Sequence, residues 1–260
     1  MHIEPLIEAA HAGGKIVREY FGQVLDLTVK SHASDFKTKA DEESEQVIIE
    51  ILKKSFPDFN IYAEESGKVD NNSEYTFVID PLDGTNNFVI GVPNFCVSIG
   101  LMKGSEIIAG VIYSPIINQT FSAQKGEGAF CDGKKLAVNS EQRKDQSTVC
   151  ICGSYGSYYT PQFGRTMINL MDQHYKRVIN SWCSPYDMCL IASGKIESLI
   201  CLKGELYDFC AAKIIARESG AIITDLAGNI DVSDDNPSFI ISNSLSSIQD
   251  LSNSIQKSQN

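Results

Sequence analysis

The run Tyr75-Thr76-Phe77-Val78-Ile79, followed at once by Asp80-Pro81-Leu82-Asp83-Gly84-Thr85, constrains this chain more than any other stretch. Aromatic and β-branched residues in succession favour a buried strand. Pro81 has no N–H and disfavours a helical conformation at Asp80, so the strand is expected to end there; Gly84 then permits a turn and close backbone approach. Two carboxylates therefore stand where a strand stops. Glu64-Glu65 follows another apolar stretch, Ile61-Tyr62-Ala63, and Asp208 follows Leu206-Tyr207 and opens an apolar-periodic helix. Crowded carboxylates raise one another's pKa unless cations neutralise them, so a convergent set implies bound metal. Hard oxygen ligands without nearby His or Cys favour magnesium over zinc or copper.

Composition narrows the possible functions. A chain of 260 residues, 43% hydrophobic, suits one large domain or two small, tightly packed ones. A formal net charge of −11 disfavours nonspecific nucleic-acid binding, which selects an excess of Lys and Arg. The eight cysteines are scattered through apolar runs, as in Val149-Cys150-Ile151-Cys152, with no Cys-x-x-Cys, and read as reduced core residues rather than a disulfide framework or zinc site. His2, His11, His32 and His174 show no ligand spacing and read as structural or surface residues. Glu4 and Glu8 interrupt the apolar pattern of a secretory signal, and no apolar run approaches the roughly 20 residues that span a bilayer. A cytoplasmic protein with no nucleic-acid or membrane partner is expected.

Helical spacing marks an opening helix from Ile3 to Phe21 and a second one from near Asp41 to a stop at Pro57. Short β-rich runs follow at Tyr75–Ile79, Phe95–Leu101, Ile107–Tyr113 and Thr120–Ala123, predicting a mainly antiparallel sheet. Thr148–Cys152 begins an alternation of strands and helices: a helix around Phe163 to Met171, a short one at Asp187–Ala192, strand Leu199–Leu202, helix Asp208–Ser219, strands Ala221–Thr224 and Phe239–Ile241, and a last helix from Leu245 to Ile255 with a fraying tail. This order predicts a layered α+β architecture.

Together these motifs resemble the inositol monophosphatase family of magnesium-dependent, lithium-sensitive phosphatases, over Lys30 to about Asp225. The Asp-Pro-(Ile/Leu)-Asp-Gly-Thr motif is complete at Asp80–Thr85, and Asn87-Phe88 continues it as in the inositol branch. Glu-Glu-Ser stands at Glu64-Glu65-Ser66, Asp-x-x-Thr-x-x-Asp at Asp35, Thr38 and Asp41, and Gly-x-Gly-Ala at Gly126–Ala129. The second signature, Trp-Asp-x-Ala-Ala-Gly with Glu-Ala-Gly-Gly, appears as Tyr207–Ala212 with Glu218–Ala221; Ala212 and Ala221 replace glycines but no ligand is lost. Where the family carries Arg-Ser-x-Gly-Ser/Thr-Ala-Ala along the substrate site, this chain has Asn180-Ser181-Trp182-Cys183-Ser184-Pro185-Tyr186, counted as one residue shorter.

The resemblance implies a layered αβαβα sandwich of the sugar phosphatase type. It implies one domain over residues 1–260 with packed halves at about 1–140 and 145–260, and a homodimer. It further implies hydrolysis of a phosphate monoester by metal-activated water. Glu64, Asp80 and the Leu82 carbonyl would hold one Mg2+; Asp80, Asp83 and Asp208 would hold a second. Thr85 paired with Asp41, with Glu64 assisting, would be catalytic, and Asp83, Gly84, Thr85, Ser184 and Asp208 would contact the substrate. Gly84-Thr85 should open a helix whose N–H groups face phosphate. Inositol monophosphate or a related polyol or sugar phosphate is the expected substrate. Gly91-Val92-Pro93 and Tyr207–Ala212 also look similar to archaeal dual-specificity enzymes, so fructose 1,6-bisphosphate is a rival, with NADP, nucleotide and histidinol phosphates behind it. A noncatalytic scaffold is the reading from another class. Taken alone, Asp41 and Asp208 read as helix N-caps, Glu65 as a supporting or surface acid, and Lys30 and Lys37 as a solvated face. Trp182 and Tyr186 could touch a substrate ring, though aromatic residues are more often core.

Overall fold

The computed structural model describes residues 2–23, 26–32, 35–153, 160–230 and 233–258. Helix α1 (Glu4–Tyr20) buries Leu6, Ala9, Ala10, Gly13, Gly14 and Val17 along one face. A hairpin of β1 (Thr28–His32) and β2 (Asp35–Lys37), absent from the sequence reading, leads to α2 (Lys39–Ser55). This helix starts with a capping box: the Thr38 N–H donates to Asp41 Oδ2 at 2.7 Å, and the Ala40 N–H donates to the Thr38 hydroxyl at 3.1 Å. Thr38 is therefore the N-cap, and Asp41 occupies the third helical position.

Next come β3 (Asn60–Ala63), β4 (Gly67–Val69), β5 (Tyr75–Asp83), the short α3 (Thr85–Val89), β6 (Cys96–Lys103), β7 (Glu106–Ser114), β8 (Gln119–Gln124), β9 (Gly128–Cys131) and β10 (Lys134–Lys135). They build an eight-stranded sheet ordered β10-β9-β8-β7-β6-β5-β3-β4, with one parallel pair, β3 beside β5. Contrary to expectation, β5 does not end at Asp80. Asp80 faces Ser98 and Asp83 faces Cys96, so the strand absorbs an extra residue at Pro81-Leu82. A bulge leaves a backbone position unpaired, and there proline's missing N–H is tolerated.

The rest of the chain forms β11 (Thr148–Cys152), α4 (Thr160–Asp172), β12 (Arg177–Ile179), α5 (Ser184–Ala192), β13 (Ser198–Cys201), α6 (Leu206–Glu218), β14 (Ile222–Asp225), β15 (Phe239–Ser242) and α7 (Leu245–Ser258). The second sheet runs β12-β11-β13-β15-β14, parallel at first and antiparallel from β13 onward. Helix α5 begins three residues earlier than expected because Pro185 fits the first turn of a helix. The tail expected to fray is helical to Ser258, whose hydroxyl is bonded to that of Thr166 at 3.1 Å.

Helices α1 and α2 cover the outer face of the large sheet, α5 and α6 fill the space between the sheets, and α4 and α7 cover the small sheet. This is the five-layer αβαβα sandwich. Helix α6 lies directly on sheet backbone because the facing pair Gly100 and Gly110 has no side chains. A Cβ on Gly100 would stand 2.4 Å from Cys210 Sγ, and one on Gly110 2.5 Å from the Ala211 carbonyl oxygen. No helix among the described residues is long and apolar enough to cross a membrane.

Candidate active site

A cavity of about 690 Å³ is lined by Glu64, Asp80, Leu82, Asp83, Gly84, Thr85 and Asp208, together with Asn180, Trp182 and Ser184. Two elements bring its aspartates together. The bulge in β5 presents Asp80 and Asp83; Asp80 Oδ1 accepts from the Leu82 N–H at 2.9 Å, which fixes its rotamer. Helix α6 presents Asp208 through a second capping box, in which the Glu205 N–H donates to Asp208 Oδ2 at 2.9 Å. Glu205 is thus the N-cap and Asp208 the third helical residue, repeating the arrangement at Asp41. Ligand oxygens of Asp80, Asp83 and Asp208 all lie within 4.8 Å of one another.

So much charge is not tolerated without compensation. Burial, reinforced by Glu64, Asp83 and Asp208, drives the Asp80 pKa well above the carboxylate range. Burial, with Cys183 and Asp208 nearby, does the same to Asp83. Asp208 is pushed up to about 7 by burial, against the stabilising Glu205 N–H and with the Glu64 charge adding to the shift. Asp83 Oδ1 is buried with no hydrogen-bond partner. Hard oxygens held this close, one of them orphaned, fit a hard cation.

Lys30 supplies part of the missing positive charge. Its Nζ donates to Glu64 Oε1 at 2.7 Å and also pairs with Glu65. Burial works against this ammonium, yet the two carboxylates more than offset it and hold its pKa above the usual lysine range. Lys37 pairs with Glu42 at 2.7 Å and with Glu65 at 3.8 Å, so neither lysine forms part of a merely solvated face. Glu65 is the supporting acid that the sequence suggested.

Thr85 and Asp41 do meet: the Thr85 hydroxyl lies 3.3 Å from Asp41 Oδ1 and 2.9 Å from the Leu82 carbonyl oxygen. Asp41 is pushed up to about 7 by burial, with Thr38 opposing and Glu64 and Glu65 adding to the shift. Gly84 takes a φ of +91°, and a Cβ there would stand 2.9 Å from the Asn94 carbonyl oxygen, so both conformation and space call for glycine. Helix α3 does open at Thr85 but has only five residues, which leaves a weak dipole.

The expectation that no cysteine approaches the acids is overturned. Cys183 Sγ lies 3.7 Å from the Asp83 carbonyl oxygen and 3.7 Å from Cys96 Sγ. Burial pushes the Cys96 thiol up to about 12 and Cys183 well above its usual value, so both stay protonated and ligate poorly. Tyr186 is a core residue whose hydroxyl donates to Gln119 Oε1 at 3.3 Å, whereas Trp182 lines the cavity. His11 packs on the Tyr113 ring, consistent with a structural histidine, and the His32 side chain lies outside the described residues.

Two buried acids were missed by sequence reasoning. Glu45, one turn beyond Asp41, accepts from the Glu65 and Ser66 N–H groups at 2.8 Å each and so positions the Glu64-Glu65 corner. Asp187 accepts from the Ser181 hydroxyl at 2.7 Å behind the Asn180–Ser184 segment. For Asp187 the signal was present, a carboxylate inside an otherwise apolar helix, whereas Glu45 stands in the polar run Asp41–Gln46 and shares its buried face with Asp41 and Ser44.

Compared with known proteins, residues 2–259 match the inositol monophosphatase family. The chain belongs to that family. Its members are phosphoric monoester hydrolases and depend on metal. A fructose-1,6-bisphosphatase/inositol-1-monophosphatase of Aquifex aeolicus is 33% identical over 234 residues, covering 87% of this chain and 86% of that protein. Inositol monophosphatase 1 of Sus scrofa is 32% identical over 232 residues, covering 85% and 82%. Among solved structures, the Thermotoga maritima IMPase superposes with a TM-score of 0.87 at 27% identity, covering 97% of this chain and 96% of that one. Metal dependence of this kind suits a cluster such as Asp80, Asp83 and Asp208.

Proposed function

We propose that this inositol monophosphatase family member is a magnesium-dependent phosphomonoesterase acting on inositol monophosphate or a related polyol or sugar phosphate. The observation that carries the reading is the convergence of Asp80, Asp83 and Asp208 beside the Thr85–Asp41 contact. Magnesium held by Glu64, Asp80, the Leu82 carbonyl, Asp83 and Asp208 would offset the roughly two negative charges of a phosphate monoester and activate water for attack.

The chain's own groups complete the reaction. Thr85 takes the proton of the attacking water as it passes its own to Asp41, a carboxylate whose pKa near 7 suits that relay, and the departing alkoxide takes a proton from a water near Asp208. Glu64 holds the water's approach once Lys30 releases it. Backbone N–H groups at Gly84 and Thr85 face the phosphate, and Ser184 meets the alcohol portion. Glu45 and the two capping boxes keep these groups in place. We further propose a cytoplasmic homodimer of single-domain subunits, inhibited by lithium; sedimentation and activity at high millimolar lithium check these points.

Fructose 1,6-bisphosphatase activity is the second reading, favoured by the Aquifex relative, whose name joins both activities. Phosphate release from inositol 1-phosphate, fructose 1,6-bisphosphate, NADP, histidinol phosphate and adenosine 3′,5′-bisphosphate, with and without magnesium, decides between them. Magnesium-dependent turnover concentrated on one ester identifies the branch. No turnover on any of them would leave an ester outside this set, or the scaffold reading, in its place.

A further inference from the structure

We propose that Trp182 is the specificity wall of this site, stacking its indole on the ring of a cyclic phosphate ester. The inference rests on the phosphomonoesterase reading and adds the shape of the alcohol that the site selects.

Trp182 is 56% exposed and lines the same cavity as the acid cluster. Its φ of +58° lies in the left-handed region, which glycine enters freely and a bulky side chain enters only when its surroundings impose it. The surroundings do impose it. Asn87 and Asn94 donate from Nδ2 to the Ser181 carbonyl oxygen at 2.7 and 3.1 Å. The Ser181 hydroxyl donates to buried Asp187 at 2.7 Å, and the Trp182 N–H donates to Asn180 Oδ1 at 3.1 Å. On the other side, the Cys183 thiol approaches the Asp83 carbonyl oxygen at 3.7 Å.

Asn87 belongs to α3, the helix that Thr85 opens, and Asp83 belongs to the acid cluster. The indole is therefore registered to the reacting phosphate rather than hung on an independent loop. The indole adds an exposed, flat apolar face to a cavity in which Phe36, Phe163, Tyr207 and Phe209 stand beside the acids. Such a face recognises the C–H side of a cyclitol, furanose or pyranose, which an acyclic polyol cannot present as one rigid plane.

Trp182 is the sole tryptophan of the chain, so its fluorescence reports the contact directly. With calcium replacing magnesium to slow turnover, titration with inositol 1-phosphate should shift or quench the emission saturably, whereas glycerol 2-phosphate and inorganic phosphate should not. In magnesium, Trp182→Gly should lower the ratio of kcat/KM for inositol 1-phosphate over glycerol 2-phosphate about tenfold, with Trp182→Phe recovering most of it. The glycine variant should also melt at a higher temperature, because it relieves the backbone, while a merely structural tryptophan would lower Tm when removed. Equal emission responses to all three ligands, or an unchanged ratio in Trp182→Gly, overturns the wall. A ring-selective emission response without phosphate release from any ester would support the wall while removing the phosphomonoesterase reading beneath it.

Discussion

The acid cluster and the Asn180–Ser184 segment face one cavity but are held by different means. Asp80 and Asp83 sit on a strand bulge, and Asp41 and Asp208 each occupy the third position of a capped helix, so short-range backbone geometry places every one of them. The Asn180–Ser184 segment has local bonds of its own, such as the Trp182 N–H on Asn180 Oδ1, but no strand bulge or capping box frames it. Its shape is dictated by Asn87, Asn94 and Asp187, two of them from the other sheet's side of the chain and none adjacent to Trp182. Chemistry that must not vary is anchored locally, and recognition is anchored through distant side chains that can be exchanged.

The sharpest way to break this contrast is Asp83→Asn. Turnover should fall by at least about a hundredfold through loss of a ligand, and calorimetry should show weaker magnesium binding. The same variant should be more stable than the parent at pH 7.5 in chelator. The sign follows from the raised Asp83 pKa: its contribution is present at low pH and is lost as pH rises above the unfolded carboxylate value. A chelated variant that melts lower would show that Asp83 is not under electrostatic stress.

Magnesium itself tests the cluster as a whole. The raised values at Asp41, Asp80, Asp83 and Asp208 mean that chelated protein loses stability between about pH 4 and 8, because the folded state holds more protons than the unfolded one. A fixed magnesium concentration, about a hundred times its Kd at pH 6, should add roughly 3 kcal/mol there and more at pH 8, where the acids bind it more tightly. Equal increments at both values would remove the proposed charge relief. On the recognition side, burial pushes Asp187 up to about 7. Asp187→Asn should therefore stabilise the protein by on the order of 2 kcal/mol at pH 8, with the gain shrinking as pH falls toward the unfolded carboxylate value. It should also shift KM more than kcat. The smallest effect is expected at Lys30. Lys30→Met frees Glu64 and should tighten magnesium by about fivefold while lowering Tm in chelator.

The same contrast explains what could be read from the amino-acid order. Asp80–Thr85, Glu64 and Asp208 were legible because their chemistry is written beside the elements that carry them; the alternating runs gave a layered α+β order, and the family resemblance supplied the five layers. The strand's passage through Pro81 was not, since a bulge depends on its partner strand. The β1–β2 hairpin was hidden by its polar, short strands, and only folding shows that it brings Lys30 to Glu64. Cys96 and Cys183 lie far apart in sequence yet touch. Gly126–Ala129 and Glu218 were both noticed as motifs, but not that Glu218 accepts from the Gly126 and Gly128 N–H groups at 2.8 and 2.9 Å, tying the end of α6 to a turn of the large sheet.

The bare pair Gly100 and Gly110 acts as a ruler. The helix resting on it carries Asp208, so the missing methyl groups fix the reach from Asp208 to the two acids of β5. The choice of ion radius is thereby delegated to positions that no ion touches. Gly100→Ala should change the magnesium-to-calcium affinity ratio with every carboxylate intact, and an unaltered ratio would mean that the cluster adjusts on its own. The fold would then offer a dial for ion preference set in its floor rather than in its ligands.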